Sequence, residues 1–487
     1  MGNRQLHRRR GLIFALMSRY LVVLVQVLGT LVSTPVILAA YGPAMLGRWA
    51  LALAIMGYIQ GIDLGLGIEL ARSVAASRSP EERSRTVGAA LNVLVVPGLA
   101  AVAAGLGLGI ALGSTSGRGP WLGIAIGCGG LLLPLSVGGG VLYGTDRQVS
   151  RNAFTVGATL IGLAATIAVA VAHGNLALLT LAGALGPLLA GVGTTVQAFL
   201  KTPGVRGHLR QDDLTEVRQL LGASIGVFAL TASGQVIAYS DTFVVDALFG
   251  PAVLGVYVVA MRVIGGLTSL TNQLSDVLLP RFADPGAGPL EQQERIRLAI
   301  TIAACIGFAL ISILIVFGHQ LLNLWVGPHY QAAWGVALLL SGAVLLNGPA
   351  RVAVVWAIAA SRREGLTMLA LFESFANVAL SVLLGVAFGF RGVAAASMVT
   401  LVVTNGWILP TRLLPRGGLS WKRDFVRPVG QSALLVLPIS FAAAALLGRA
   451  SVGGWWVLPA GAGLGLGVGV GLLKWNLRSS RRLFAPT

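Results

Sequence analysis

Charge is scarce in this chain. Asp, Glu, Lys and Arg make up 11% of its 487 residues, where a soluble domain carries roughly 25%. Acids are scarcer still, with 17 Asp and Glu against 35 Lys and Arg, for a net charge of +18. Few carboxylates are therefore on hand for metal binding or acid–base chemistry. Only two cysteines occur, Cys128 and Cys305. Both sit in apolar runs, which argues against a disulfide framework and a thiolate metal site. The five histidines are scattered without ligand spacing. No Walker A sequence is present, so ATP hydrolysis by that motif is excluded, and no Ser/His/Asp grouping stands out. Long polar segments are missing too, which leaves no room for a folded domain outside a membrane. No cofactor or metal, and no enzymatic activity, is expected.

What remains is apolar: 55% of residues are hydrophobic and the mean hydropathy is +0.83. Apolar runs long enough to cross a bilayer as helices recur from end to end. Fourteen candidate spans lie near 13–40, 44–66, 88–111, 121–143, 153–172, 176–200, 220–245, 251–275, 298–318, 332–358, 365–388, 391–411, 429–447 and 454–473. A β-barrel would instead show ten-residue alternating segments. The expected class is an all-α polytopic membrane protein.

The basic residues sit in short loops, on alternate connections: Arg72, Arg78, Arg83 and Arg85; Arg147 and Arg151; Lys201, Arg206, Arg210 and Arg218; Arg281, Arg295 and Arg297; Arg362 and Arg363; and Arg412 to Arg427. The opposite connections hold only Arg118, Arg391 and Arg449. This is the positive-inside pattern rather than a nucleic-acid surface. It predicts both termini in the cytoplasm, and the Arg-rich start followed by a long apolar run reads as a retained first span.

A hexapeptide recurs. Gly42-Pro43-Ala44-Met45-Leu46-Gly47 returns as Gly250-Pro251-Ala252-Val253-Leu254-Gly255, 208 residues later, and Gly119-Pro120 returns as Gly327-Pro328 at the same displacement. Equal spacing at two places argues for duplication. The chain divides into a first six-span lobe (1–210), a second (211–418) and an additional span pair with a tail (419–487). Each repeat holds an even number of spans, so the lobes share one orientation, as in parallel-repeat transporters.

Four arginines fall within spans: Arg19, Arg48, Arg262 and Arg351. Such a residue costs about 2.5–3.5 kcal/mol at a helix centre on insertion scales, so it is expected to face a wet cavity or a partner. Arg262 begins a stripe with Ser269, Gln273 and Asp276 at helical spacing. Arg19, Gln26, Thr30 and Ser33 repeat the pattern in span 1, and Ser224, Thr231 and Gln235 form a shorter one in span 7. The stripes predict a hydrated path; interhelical hydrogen bonding is the plainer alternative. Guanidinium holds phosphate oxygens in a bidentate manner, so the arginines suit a phosphorylated ligand. The expected substrate-binding set is Arg19, Arg48, Arg262, Arg351, Gln26, Gln235 and Gln273. Asp241 and Glu373 are the ion-coupling candidates.

Several segments resemble the polysaccharide flippases of the MOP exporter superfamily (multidrug, oligosaccharidyl-lipid, polysaccharide). They are Tyr41 to Trp49 running on to Gly61-Ile62-Asp63-Leu64-Gly65; Gly255-Val256-Tyr257 with Ala260-Met261-Arg262 and Pro280; Leu324-Trp325-Val326-Gly327-Pro328-His329-Tyr330; and Gly392 to Ala396. The resemblance covers nearly the whole chain. It implies a two-lobed bundle that moves an isoprenoid-pyrophosphate-linked oligosaccharide to the outer leaflet of a bacterial inner membrane. In the related lipid II flippases, arginines on spans 1, 2 and 8 are associated with substrate, and Arg19, Arg48 and Arg262 lie on those spans. The extra pair matches the lipid II branch, whereas most polysaccharide flippases have twelve spans. The implied partners are the lipid-linked substrate, membrane lipid, and glycosyltransferases and a polymerase of the same pathway, with no nucleic acid. A cation-coupled multidrug exporter would need more acid in its spans. A polymerase or ligase would need a larger outer loop. A scaffold without transport is a further alternative.

Overall fold

The computed structural model describes residues 2–61, 63, 65–116, 119–202, 214–282, 288–359, 365–449 and 457–481. The connections 203–213 and 283–287 lie outside these residues. Every regular element among those described is helical. In chain order these are α1 (Gly2–Tyr41), α2 (Pro43–Gly61), α3 (Leu66–Ala76), α4 (Pro80–Ser116), α5 (Gly119–Gly144), α6 (Gln148–Val171), α7 (Leu176–Lys201) and α8 (Leu214–Phe282). They continue with α9 (Pro289–Val326), α10 (Ala332–Ala359), α11 (Leu366–Phe388), α12 (Phe390–Leu401), α13 (Leu409–Leu413), α14 (Arg427–Arg449) and α15 (Val457–Arg481). A helix satisfies its own backbone within lipid, which is why spans take this form.

Eleven stretches are long and apolar enough to cross a membrane. One of them, Thr231–Asn272, contains a break inside α8 at Gly250 (φ 81°, ψ 172°) and holds two spans. With α2 and α15 the described residues contain fourteen long helices, in agreement with the fourteen expected spans. The protein is a multi-pass membrane protein. Span 2 is shorter than the sequence suggests. The Asp63 carboxylate accepts from the Gly65 amide at 2.9 Å, and Gly65 turns left-handed (φ 69°), so α3 starts as a separate helix. A π-helical stretch, Val402–Ile408, joins α12 to α13.

The chain forms two compact units. The first is residues 1–255 with 370–374; the second is 256–369 with 375–487. The first half of α8 thus groups with the helices before it. In the first unit α5 is central, with α2, α3, α4 and α7 against it. Glycines let these helices approach backbone to backbone. A methyl group added to Gly123 of α5 would lie 2.5 Å from the Gly105 carbonyl oxygen of α4, and one on Gly138 would lie 2.3 Å from the Thr195 Cα of α7. Lipid gives no hydrophobic drive between helices, so such close van der Waals packing carries the association.

In the second unit α9 is central, with α10, α14 and α15 on it. The glycine-rich α15 shows how its run is used. Gly461, Gly465 and Gly469, four residues apart, meet Ile313, Phe317 and Ala309 of α9, while Gly463, Gly467 and Gly471 meet nothing within 4 Å. The run is therefore a packing face toward α9. One buried carboxylate anchors the segment before α14. Asp424 is fully buried; it accepts from Arg297 Nε at 2.8 Å, from Arg423 Nε at 3.2 Å and from the Ser420 amide at 2.7 Å.

Removing one partner of a buried ion pair leaves an uncompensated charge and costs about 3–5 kcal/mol. Asp424→Ala should therefore lower thermal stability in detergent sharply. Arg423→Ala, at a largely exposed side chain, should cost under about 1 kcal/mol. Heating ramps read by size-exclusion chromatography separate the two.

Candidate functional site

The two copies of the hexapeptide meet. A methyl group on Gly47 would lie 2.1 Å from the Pro251 carbonyl oxygen and 3.0 Å from the Gly255 amide nitrogen. One on Gly255 would lie 2.0 Å from the Pro43 carbonyl oxygen. The contact is reciprocal: the last glycine of each copy receives the proline carbonyl of the other. Each copy starts at a left-handed glycine, Gly42 (φ 77°) and Gly250 (φ 81°), where a side chain would be strained. Proline follows in both and suits the first helical turn. Neighbours pin the first copy. The Tyr41 hydroxyl bonds to the Gly174 and Val169 carbonyls at 2.6 and 3.0 Å, and Trp49 Nε1 donates to the Leu179 carbonyl at 3.1 Å.

From this contact α2 runs antiparallel to the first half of α8. Gly57 faces the Tyr239 ring and Gly61 faces the Gln235 side chain. Tyr58 packs on Tyr239 and Phe243, with ring centroids 5.7 and 5.1 Å apart. Gln235 therefore sits half-buried against α2 in a helix–helix contact. Asp241 is buried between Ser240 and Thr242, within electrostatic range of Tyr58. Glu373 is buried as well, in the 370–374 stretch that belongs to the first unit.

On the other predicted residues of this unit, Arg19 and Gln26 of α1 and Arg48 of α2 are exposed on their helices. Arg19 lies within electrostatic range of Arg151 at the start of α6. Beside them Asn152 Nδ2 donates to Ser18 Oγ at 2.9 Å, and Gln197 Nε2 donates to Ser150 Oγ. This polar group at α1, α6 and α7 was not singled out in the sequence, because Arg151 reads there as an ordinary loop charge.

In the second unit, Arg262 follows the Gly250 break by twelve residues, or about 18 Å of helix. That is mid-depth for a hydrocarbon core of about 30 Å. The residue is half-buried, with its Nε enclosed by protein. Ser269 returns its hydroxyl to the Gly265 carbonyl at 2.8 Å, so this member of the stripe is satisfied within its own helix. Thr34 does the same with Thr30 in α1, at 2.7 Å. Gly348 of α10 packs on Thr271 of α8, and Arg351, one turn further on, is half-buried. Asn347 accepts from Asn405 Nδ2 at 3.0 Å. The side chains of Gln273, Asp276 and Ser224 lie outside the described ones. No cluster of metal-ligating side chains is found among the described residues.

Guanidinium groups carried on membrane helices are chemistry that can hold an anion. A sequence profile of the "Polysaccharide biosynthesis protein" family matches residues 10–284. The chain belongs to this family. No curated protein matches it significantly. Among solved structures, "Lipid II flippase MurJ, inward closed conformation" superposes with a TM-score of 0.72 at 13% identity, over 96% of this chain and 99% of that one. An inward-facing multidrug resistance MATE family transporter of the MOP superfamily gives a TM-score of 0.61 at 15% identity, over 78% and 93%. A MOP superfamily transporter from Pyrococcus furiosus, described as having a binding pocket of reverse polarity, gives 0.56 at 15%, over 82% and 94%. At these identities the likeness shows the fold, and the fold is of the MOP type.

The reciprocal glycine contact makes a direct prediction. Overpacking typically costs about 1–3 kcal/mol, and a backbone carbonyl cannot swing aside as a side chain does. Gly47→Ala and Gly255→Ala should each destabilise by at least that amount. Gly107→Ala, where a methyl group meets nothing within 4 Å, should be neutral or stabilise by about 0.5–1 kcal/mol. Thermal ramps in one detergent compare the three.

Proposed function

We propose that this protein is a flippase for an isoprenoid-pyrophosphate-linked oligosaccharide in the biosynthesis of a surface polysaccharide. Membership of the polysaccharide biosynthesis family supports the pathway. The observation that carries the reading is Arg262, a half-buried guanidinium at mid-depth of a membrane helix. A sugar-pyrophosphate headgroup cannot cross hydrocarbon unaided, because its polar groups would lose their water. Guanidinium and hydroxyl groups along the route replace that water, while the isoprenoid tail stays in the bilayer.

In this reading Arg262, Arg351, Arg48 and Arg19 take the pyrophosphate, with Gln26, Gln235 and Gln273 serving the sugar. Asp241 and Glu373 couple an ion. The repeats 1–210 and 211–418 act as the moving lobes of an alternating-access cycle. The basic loops support cytoplasmic termini; in this reading the membrane is a bacterial inner membrane and the substrate moves to its outer leaflet. Charge-assisted hydrogen bonds are worth about 1.5–3 kcal/mol, and 1.36 kcal/mol is a factor of ten in rate.

Proteoliposomes loaded with a labelled undecaprenyl-pyrophosphate saccharide test this. Arg262→Ala should slow translocation about tenfold or more with the protein still folded. Arg72→Ala, an exposed arginine on α3, should leave the rate unchanged. Equal rates in both variants would remove Arg262 from the mechanism.

A further inference from the structure

The connection from α12 to α14 presents a basic surface without an exposed acid. Arg412, Arg416, Lys422, Arg423 and Arg427 are all exposed. The acid of this segment, Asp424, is fully buried, where Arg297 Nε, Arg423 Nε and the Ser420 amide donate to its carboxylate. The backbone between the cations is tied down. The Leu419 amide donates to the Leu414 carbonyl at 3.0 Å and the Gly418 amide to the Pro415 carbonyl at 3.0 Å. Trp421 Nε1 donates to the Gly406 carbonyl at 3.1 Å. Gly418 is left-handed (φ 74°) and lies against Gln293, and Gly417 lies against the Trp356 ring. Leu413, Leu414, Leu419 and Phe425 turn inward into one core with Trp356. The cations are left on the surface as a fixed array.

Helix lengths set the depth of the array. α12 starts at Phe390, straight after the left-handed turn at Gly389 that ends α11. Arg412 lies 22 residues further on, or about 33 Å of helix. The hydrocarbon core is about 30 Å thick. Arg427 is the first residue of α14, within another membrane-length stretch. The five cations therefore stand at headgroup level, and the exposed Trp407 lies just inside them, where tryptophan marks the interface. The positive-inside pattern asks only for a surplus of cations, and the segments that open α4 and α9 meet it with acids interleaved. Arg72 pairs with Glu69, the Arg78 amide with the exposed Glu82, and Arg295 with the exposed Glu291. Here the carboxylate is withdrawn from the surface instead. Basic clusters of about this size, immediately outside a membrane helix, attract anionic lipid.

We infer that the α12–α14 connection is a docking surface for anionic phospholipid headgroups of the surrounding leaflet, held by Arg412, Arg416, Lys422, Arg423 and Arg427. The occupant is lipid because the array lies in the plane of the lipid phosphates. The inference rests on the span assignment and not on the proposed substrate. Phosphates on the array hold this connection at the membrane surface, and with it the start of α9 through the Arg297–Asp424 pair.

Both native cysteines are buried and can be replaced, and a fluorophore on Ser420→Cys, an exposed position, reports the lipid beside the array. The full-length protein is placed in phosphatidylcholine nanodiscs. A small fraction of the lipid is phosphatidylglycerol or phosphatidylcholine carrying a nitroxide quencher near its headgroup. Labelled phosphatidylglycerol should quench at a mole fraction about fivefold lower or more, since each cation near an anionic surface contributes about that factor. Arg412→Gln, Lys422→Gln and Arg427→Gln together should bring the two lipids within about twofold. Arg72→Gln with Arg85→Gln, on the first unit, should leave the preference as it was. Salt at about 1 M, which shortens the screening length to about 3 Å, should weaken the preference without any substitution. Equal quenching in the unsubstituted array would overturn the inference and leave the array to a soluble acidic partner. A preference unchanged by the triple substitution or by salt would overturn it too. Loss of phosphatidylglycerol quenching on adding one undecaprenyl pyrophosphate per protein would do the same, by assigning the array to the isoprenoid.

Discussion

Backbone-to-backbone contact through glycine is the constraint on which this structure rests. Water drives apolar surfaces together in a soluble protein, but lipid chains are as apolar as leucine and exert no such force between helices. What holds a membrane bundle is the closeness of its surfaces. Glycines at the helix contacts supply that closeness. Gly105 against Gly123, Gly138 against Thr195, and Gly162 against Gly186 each bring two helices to a distance that no side chain would allow. Where the glycines stop facing a neighbour, as at Gly157, a groove opens instead.

The same device joins the duplicated sequences. Gly47 takes the Pro251 carbonyl and Gly255 takes the Pro43 carbonyl, so two copies of one peptide pack as mutual partners. A symmetric contact of this kind is self-complementary: whatever fits one copy fits the other. It also has little to reshape, since the touching atoms are backbone. That makes it suited to remain in place while other contacts change during transport, and it explains why proline and glycine recur at these positions. Tyr41 and Trp49 hold the first copy from outside through carbonyls of α6, α7 and the turn between them.

Much of this was legible in the sequence. Apolar runs gave the spans because their lengths are set by the bilayer, and the break at Gly250 was marked by the same Gly-Pro that opens α2. The separate α3 was hidden, since the apolar pattern runs through Asp63, where the Asp63–Gly65 hydrogen bond and the left-handed Gly65 start a new helix. For the polar stripes, periodicity alone cannot tell what a face meets. Gln235 proved to lie against Gly61, and Ser269 bonds to its own helix. Arg151 was hidden for the opposite reason. A charge three residues inside a helix looks like a loop residue until its packing on Gly139 and the nearby Arg19 are seen.

The central claim is that a cation at mid-depth, Arg262, stands on a water-accessible path that a phosphate can enter. Thiol labelling tests it most directly. Both native cysteines are buried and can be replaced, and an Arg262→Cys variant in that background can be treated in native membranes with a charged, water-soluble thiosulfonate. The account predicts labelling, and protection from it by an isoprenoid-pyrophosphate saccharide. No labelling while the protein remains folded, or labelling that the saccharide leaves unchanged, would contradict it.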